Sequence, residues 1–160
     1  MKQTIDTRWT VEKIRQIQDA LNTADPILVG LGAGFPAAAG VAELPLQTKV
    51  VEEQYWSFWM PYIQHQRLNK DVPALYLQLA ELLRGKNYFV IDSNPDGFLQ
   101  RSGLDLARIY KVQGDMARVQ CQKNCCNQSW IGKQYFDRLR REEGYLPKCP
   151  HCGAPLVMNV

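Results

Sequence analysis

The sequence lacks any run of about 18 apolar residues, which excludes a membrane-spanning helix. Charge of one sign is also scarce. Nineteen Lys and Arg stand against 16 Asp and Glu, a formal net charge of +3. That excess is small and scattered, so it supplies no basic stripe for nucleic acid. Histidine is limited to His65 and His151, neither with an evident partner in the pattern, and both are expected to be exposed or packed. No internal repeat or low-complexity segment occurs. The first 16 residues, Met1 to Gln16, are polar and lack the apolar core of a secretory leader, so a cytoplasmic protein is expected. Cysteine is absent from the first 120 residues, and all five thiols fall between Cys121 and Cys152. In a reducing compartment disulfides are rare, and clustered thiols more often hold a metal.

What is present is ordinary globular material. Apolar residues make up 46% and charged residues 22% of the 160, enough for a domain with a core. Val11, Ile14, Ile17 and Leu21 recur at helical spacing, with Thr10 as N-cap, and predict a packed amphipathic helix. Ile27 to Val29 read as a buried strand entering a glycine loop. Residues 41–48 read as a loop. Residues 49–68 predict an aromatic-rich helix, broken or kinked at Pro61, with Tyr55, Trp56, Phe58, Trp59 and Tyr62 expected in the core. Residues 73–84 predict a helix bounded by Pro73 and Gly85. Strands are predicted at 87–93, 108–114 and 117–121, with a turn and a short helix at 94–103. The basic and acidic residues of 133–148 read as a solvated helix face. Strands alternating with helices predict an α/β fold on a parallel sheet.

The cysteines carry the clearest chemistry. Cys121 and Cys125 are followed, after 23 intervening residues, by Cys149-Pro-His-Cys152-Gly153. Two such pairs, each in a tight turn, build a tetrahedral zinc site, and four thiolates leave no open position for a catalytic water. Gly153 suits the turn because glycine accepts positive φ. The site is expected to hold a small ribbon together. The expected ligands are Cys121, Cys125, Cys149 and Cys152; Cys126 could replace Cys125, since either spacing is in range. Unliganded thiols are the alternative.

Gly30-x-Gly32-Ala33-Gly34 after a strand has the form of a phosphate-binding loop, in which glycines let the backbone approach a pyrophosphate. Its spacing is not G-x-G-x-x-G, and plain tight turns use the same residues. Asn94-Pro95-Asp96-Gly97 is also a good turn sequence.

Three stretches taken together are more specific: "GAGFPAAAG" after one strand, "SNPDG" after a second, and "VQGDMARVQC" leading into the paired cysteines. In this order they resemble the sirtuins, the NAD-dependent deacylases and ADP-ribosyltransferases. The resemblance covers about residues 24–160, and 41–70 align poorly. It implies a Rossmann-like NAD-binding part over 1–112, a zinc-binding ribbon module over 113–160, and NAD meeting its acceptor between them. Gly32, Ala33 and Gly34 would lie against the phosphates and ribose, and Asn94 and Asp96 near the nicotinamide and its ribose. Gln113 falls where most members carry a catalytic histidine. Histidine titrates near neutrality and serves as a base, whereas an amide donates and accepts hydrogen bonds but takes no proton. The macrodomain-linked microbial sirtuins also read "QGD" before their cysteines. They are understood to transfer ADP-ribose to protein, including a lipoyl-carrier protein. The resemblance therefore implies an NAD-dependent protein ADP-ribosyltransferase rather than a deacetylase, with a lipoyl carrier as acceptor and a macrodomain protein as partner. A noncatalytic remnant that binds NAD or protein is the alternative.

The chain departs from the family at named places. Pro36 stands where a serine is usual, and "VAELPLQTKVV" carries no matching arginine. The later strands of the large domain, with a cofactor-binding Gly-Thr-Ser segment, are not in these 160 residues. The parallel sheet is therefore expected to be incomplete.

Overall fold

The computed structural model describes residues 9–41 and 54–160. The expected loop at 41–48 and the start of the aromatic helix fall almost wholly outside them. Helix α1 is Val11–Thr23, and Thr10 caps it by accepting from the Lys13 N–H at 3.2 Å. Strand β1, Ile27–Leu31, enters a short helix α2, Gly34–Ala38. Helix α3, Tyr55–Ile63, holds Pro61 inside it and widens into a π-type turn over Gln64–Leu68. The helix thus passes the proline before its winding changes. Helix α4, Ala74–Leu83, begins after Pro73, and Gly85 follows it at φ +71°. Then come β2 (Tyr88–Asp92), two 3₁₀ turns (Leu99–Arg101 and Leu106–Arg108) and β3 (Ile109–Lys111). The ribbon consists of β4 (Asp115–Cys121), β5 (Ser129–Ile131), helix α5 (Lys133–Arg141) and β6 (Leu156–Asn159). Among the described residues no helix is long and apolar enough to cross a membrane.

Two sheets organise the chain. The first is parallel, in the order β1-β2-β3, and the second is antiparallel, in the order β5-β4-β6. Each has its own core. Ile27, Val90, Tyr76, Leu83 and Phe98 pack under the parallel sheet. Met116, Val119, Phe136, Leu156 and Met158 form the second core, together with Trp56, Trp59, Met60 and Ile63 of α3. Trp56 Nε1 also donates to the Leu156 carbonyl at 3.1 Å. A stretch from inside residues 1–112 thus closes the core of residues 113–160, so the cores interleave along the chain and do not part at residue 113. The reason is size. A short metal-held ribbon buries too little apolar surface by itself and borrows an aromatic helix.

Among the described residues the parallel sheet is covered on one face only. Ile27, Tyr88 and Val90 point into the core, and the alternation sends Leu28, Phe89, Ile91, Tyr110 and Val112 the other way. Leu28 is 69% exposed, Tyr110 60% and Val112 58%. Parallel sheets are normally covered on both faces. Helix α1 repeats the pattern. Its expected packing stripe is mostly open, with Val11, Ile14 and Ile17 exposed and Leu21 alone against the core. Periodicity identified the apolar face correctly, but nothing described covers it.

Candidate functional site

Parallel strands in register bring their carboxyl ends to one edge. Leu31, Asp92 and Lys111 are neighbours across β1, β2 and β3. The segments that leave them are therefore adjacent: Gly32 to Gly34, Ser93 to Gly97, and Val112 to Gly114. Two contacts tie them. Ser93 donates to the Leu31 carbonyl through its N–H and its hydroxyl, at 3.0 and 3.1 Å, and the Val112 N–H donates to the Asp92 carbonyl at 2.9 Å. In open α/β sheets this edge is where ligands bind.

The glycine loop leaves room. A Cβ on Gly34 would meet nothing within 4 Å, and one on Gly32 only Ser93 Oγ at 3.8 Å. The fold's own packing does not demand these glycines, so the free volume beside the backbone is available to a ligand. Helix α2 has only five residues, and the Phe35 N–H is already given to the Gly32 carbonyl at 2.9 Å. The loop therefore offers backbone approach, and a helix of five residues adds no strong dipole.

The Asn-Pro-Asp corner is buried and fully tied. Asp92, 1% exposed, accepts at Oδ1 from both the N–H and the Nδ2 of Asn94, each at 2.9 Å. Asn94 is itself 4% exposed. Asp96 accepts from the Phe98 N–H at 2.8 Å and from the Tyr76 hydroxyl at 3.0 Å. Burial first, then the Asp96 carboxylate, push the Tyr76 phenol up, so it stays a donor. Burial also raises Asp92, against the Asn94 N–H and the Lys111 ammonium, which favour its ionised form. That ammonium lies 3.8 Å from Asp92 Oδ2.

Gln113 follows β3 on the same edge, and its side chain is exposed. Gly114 turns the chain at φ +81°, where a Cβ would come within 3.0 Å of the Asn159 side chain and closer still to its backbone carbonyl. A glycine is obligatory there on both grounds. Asp115 is held by Arg67 through two bonds, Nε to Oδ1 at 3.1 Å and Nη2 to Oδ2 at 3.2 Å, and accepts from the Ala117 N–H at 2.7 Å. Burial would raise this carboxyl, but Arg67's hydrogen bonds and charge outweigh it and hold it below the usual range. Arg67 also lies over Gly97, where any Cβ would collide with the guanidinium. One side chain thus clamps the Asn-Pro-Asp corner to the Gln-Gly-Asp turn. Neither histidine belongs to this edge as a ready base. His65 is exposed on the π-type turn, and His151 pairs with Gln128 at 2.8 Å in the ribbon.

Four of the five thiols converge. The sulfurs of Cys121, Cys125, Cys149 and Cys152 all lie within 4.8 Å of one another. Cys121 to Cys152 and Cys125 to Cys149 are each 3.6 Å. Zinc bonded to sulfur at about 2.3 Å in a tetrahedron sets its ligands about 3.8 Å apart, so the spacing fits. Cys126 stands outside the four, its sulfur 3.9 Å from that of Cys125. Geometry thus resolves the competition that spacing left open. The Cys125 N–H, aimed at Cys121, lowers that thiol to about 6. Proton sharing with Cys152 pushes Cys125 up. A bound dication deprotonates all four and ends that competition.

Sequence reasoning missed Arg67, Tyr76, Asp92 and Lys111. Tyr76 lies 20 residues from its partner and Arg67 48, and no local pattern encodes such pairs.

No family model matches the chain. A protein ADP-ribosyltransferase of Staphylococcus aureus (strain Mu50 / ATCC 700699) is 24% identical over 181 residues, covering 92% of this chain and 58% of that protein. Among solved structures, a Sir2 with p53 peptide and NAD+ superposes with a TM-score of 0.64 at 18% identity, covering 91% of this chain and 62% of that one. A mutant Sir2 homologue in complex with 2'-O-acetyl ADP ribose gives 0.67 at 21% identity, covering 91% and 61%. The chain therefore has the sirtuin fold over its described length. It spans rather less than two thirds of the relatives it matches.

Proposed function

We propose that this chain is the catalytic-edge part of an NAD-dependent transferase that moves ADP-ribose to a protein and releases nicotinamide. The observation that carries the reading is the absence of a free base at the edge among the described residues. Gln113 has an amide where the family resemblance implies histidine. Each nearby carboxylate is already engaged: Asp92 by Asn94, Asp96 by Tyr76 and the Phe98 N–H, and Asp115 by Arg67. Deacetylation needs a proton acceptor that titrates near neutrality. Transfer needs departure of nicotinamide and a positioned acceptor.

NAD would supply a glycosidic bond whose cleavage leaves an electrophilic ribose carbon. Gly32, Ala33 and Gly34 would let backbone approach its phosphates and ribose. Asn94 and Asp96, fixed by their neighbours, would face the nicotinamide ribose with no reorganisation at the moment of cleavage. The Gln113 amide would orient a ribose hydroxyl or the acceptor. The four cysteines would hold zinc as a structural brace. The printed name of the staphylococcal relative supports the transferase class. For the acceptor we propose a lipoyl-carrier protein, with a macrodomain protein as partner, as the "QGD" resemblance implies.

The test is incubation with labelled NAD, a lipoyl-carrier protein and, separately, an acetyl-lysine peptide. Label on protein with free nicotinamide, and no deacetylated peptide, is the expected result. Deacetylation at ordinary sirtuin rates would overturn it. A second reading, a noncatalytic binding module, is favoured by the uncovered sheet face. It would be supported by finding neither transfer nor an NAD-dependent rise in melting temperature.

A further inference from the structure

A tetrahedral zinc ion takes four sulfurs, and the ribbon carries five. The fifth, Cys126, is not remote from the others. Its sulfur stands 3.9 Å from that of Cys125. That is about the distance between two thiolates on one zinc ion. To occupy the place that Cys125 holds, the Cys126 sulfur has only that distance to move. Consecutive Cα atoms are about 3.8 Å apart, so a slip of the chain by one residue supplies the shift.

Little holds Cys126 back. Among the described residues, neither Cys126 nor Asn127 is hydrogen-bonded through its backbone to another backbone group. Cys126 also borders an open cavity of about 200 Å³, lined as well by Gln120, Asn124, Gln128 and Asn159. There is room beside its side chain for a change of rotamer. The quartet itself is uneven. Cys121 and Cys149 are buried, whereas Cys125 and Cys152 are exposed, the two that a solute meets first. Cys152 has no further thiol next to it, and its neighbour His151 is turned to Gln128 at 2.8 Å. Cys125 has Cys126.

We propose that Cys126 is a reserve zinc ligand, specific to one corner of the site. When Cys125 is lost to alkylation or substitution, the Cys126 thiol gives its proton to water and its thiolate bonds to the metal, so that four sulfurs remain on it. The inference concerns the metal brace and does not depend on the transferase reading.

Cobalt(II) in place of zinc reports the number of bound thiolates through its sulfur-to-metal charge-transfer absorption, and competition with a chelator reports affinity. Alanine is the substitution to use, because serine would offer an oxygen. Cys125→Ala should keep the wild-type intensity per metal, and a zinc affinity within the roughly 10-fold that a disturbed supporting contact costs. Cys126→Ala alone should match the wild type. Cys152→Ala, which also removes an exposed ligand, should lose about a quarter of the intensity as four thiolates become three. The double variant, Cys125→Ala with Cys126→Ala, should do the same. Both should bind zinc at least about 100-fold more weakly, beyond what supporting contacts command. Reduced intensity in Cys125→Ala, equal to that of the double variant, overturns the proposal. So does a full four-thiolate spectrum in Cys152→Ala, since Cys126 would then serve no particular corner. If Cys125→Ala does not fold, the wild-type holoprotein supplies the readout. After limited treatment with iodoacetamide, molecules alkylated at Cys125 should retain one zinc ion in native mass spectrometry, and those alkylated at Cys152 should lose it. Loss of metal from both overturns the proposal.

Discussion

Asp115 and Arg67 form the most informative pair at the scale of single residues. They lie 48 residues apart, and their two hydrogen bonds are the direct tie between the Gln-Gly-Asp turn and the π-type turn. Asp115's carboxyl is held below its ordinary range, so its contribution to stability has a defined sign with pH. It is present above the unfolded carboxylate value of about 3.9 and is lost as pH falls through the lower folded value. Arg67→Met should cost about 2–3 kcal/mol at pH 7, since it leaves a largely buried carboxylate unpaired. The deficit should shrink at pH 3, where the variant's Asp115 is protonated. Urea denaturation of both proteins at the two pH values checks this. An equal deficit at both would refute it. None of this was legible in the sequence, because a charge 48 residues from its partner looks like any other surface charge. The place of Gln113 was legible, because it lies between a strand and a glycine that nothing else can replace.

Among the elements, the ribbon was the easiest to read and the aromatic helix the hardest. Spacing alone predicted the thiol quartet, because metal ligands in tight turns are a local pattern. Spacing also allowed Cys126 in place of Cys125, and the sulfurs in three dimensions place Cys125 in the quartet, as expected. Helix α3 was correctly expected to be buried, but its host was not identifiable, since aromatic content says nothing about which core a helix joins. The carboxyl end of β6 links ribbon to site: Asn159 pairs with Asp115 and packs on Gly114. Stripping the metal with a chelator should therefore loosen more than the ribbon. We expect hydrogen exchange to rise at Met116 to Cys121 and also at Val112 to Asp115, while Val29 to Leu31 stay protected. Unchanged exchange at the Gln-Gly-Asp turn after metal removal would show that β6 does not brace it.

At the scale of the whole molecule, the α/β class and the parallel sheet were legible, because strands alternate with helices along the chain. The parallel sheet nonetheless carries a broad apolar face open to solvent, from Leu28 to Val112. Contiguous exposed apolar surface drives association. The isolated chain should bind a hydrophobic dye and show a concentration-dependent mass in light scattering. Leu28→Lys with Tyr110→Lys should reduce both, with the melting temperature changed by no more than a few degrees, because neither side chain touches the core. A double variant that melts far lower would mean that the face is packed in solution.

The interleaving of the two cores has an optical consequence. Trp56 and Trp59 lie in the ribbon's core and Trp130 beside His151, and Trp9, the fourth, is exposed before α1. The core beneath the parallel sheet holds tyrosines, Tyr76 and Tyr88, but no indole. Intrinsic emission excited at the red edge of the ultraviolet band is therefore dominated by one lobe, so the two halves of the protein can be followed by colour in the same cuvette.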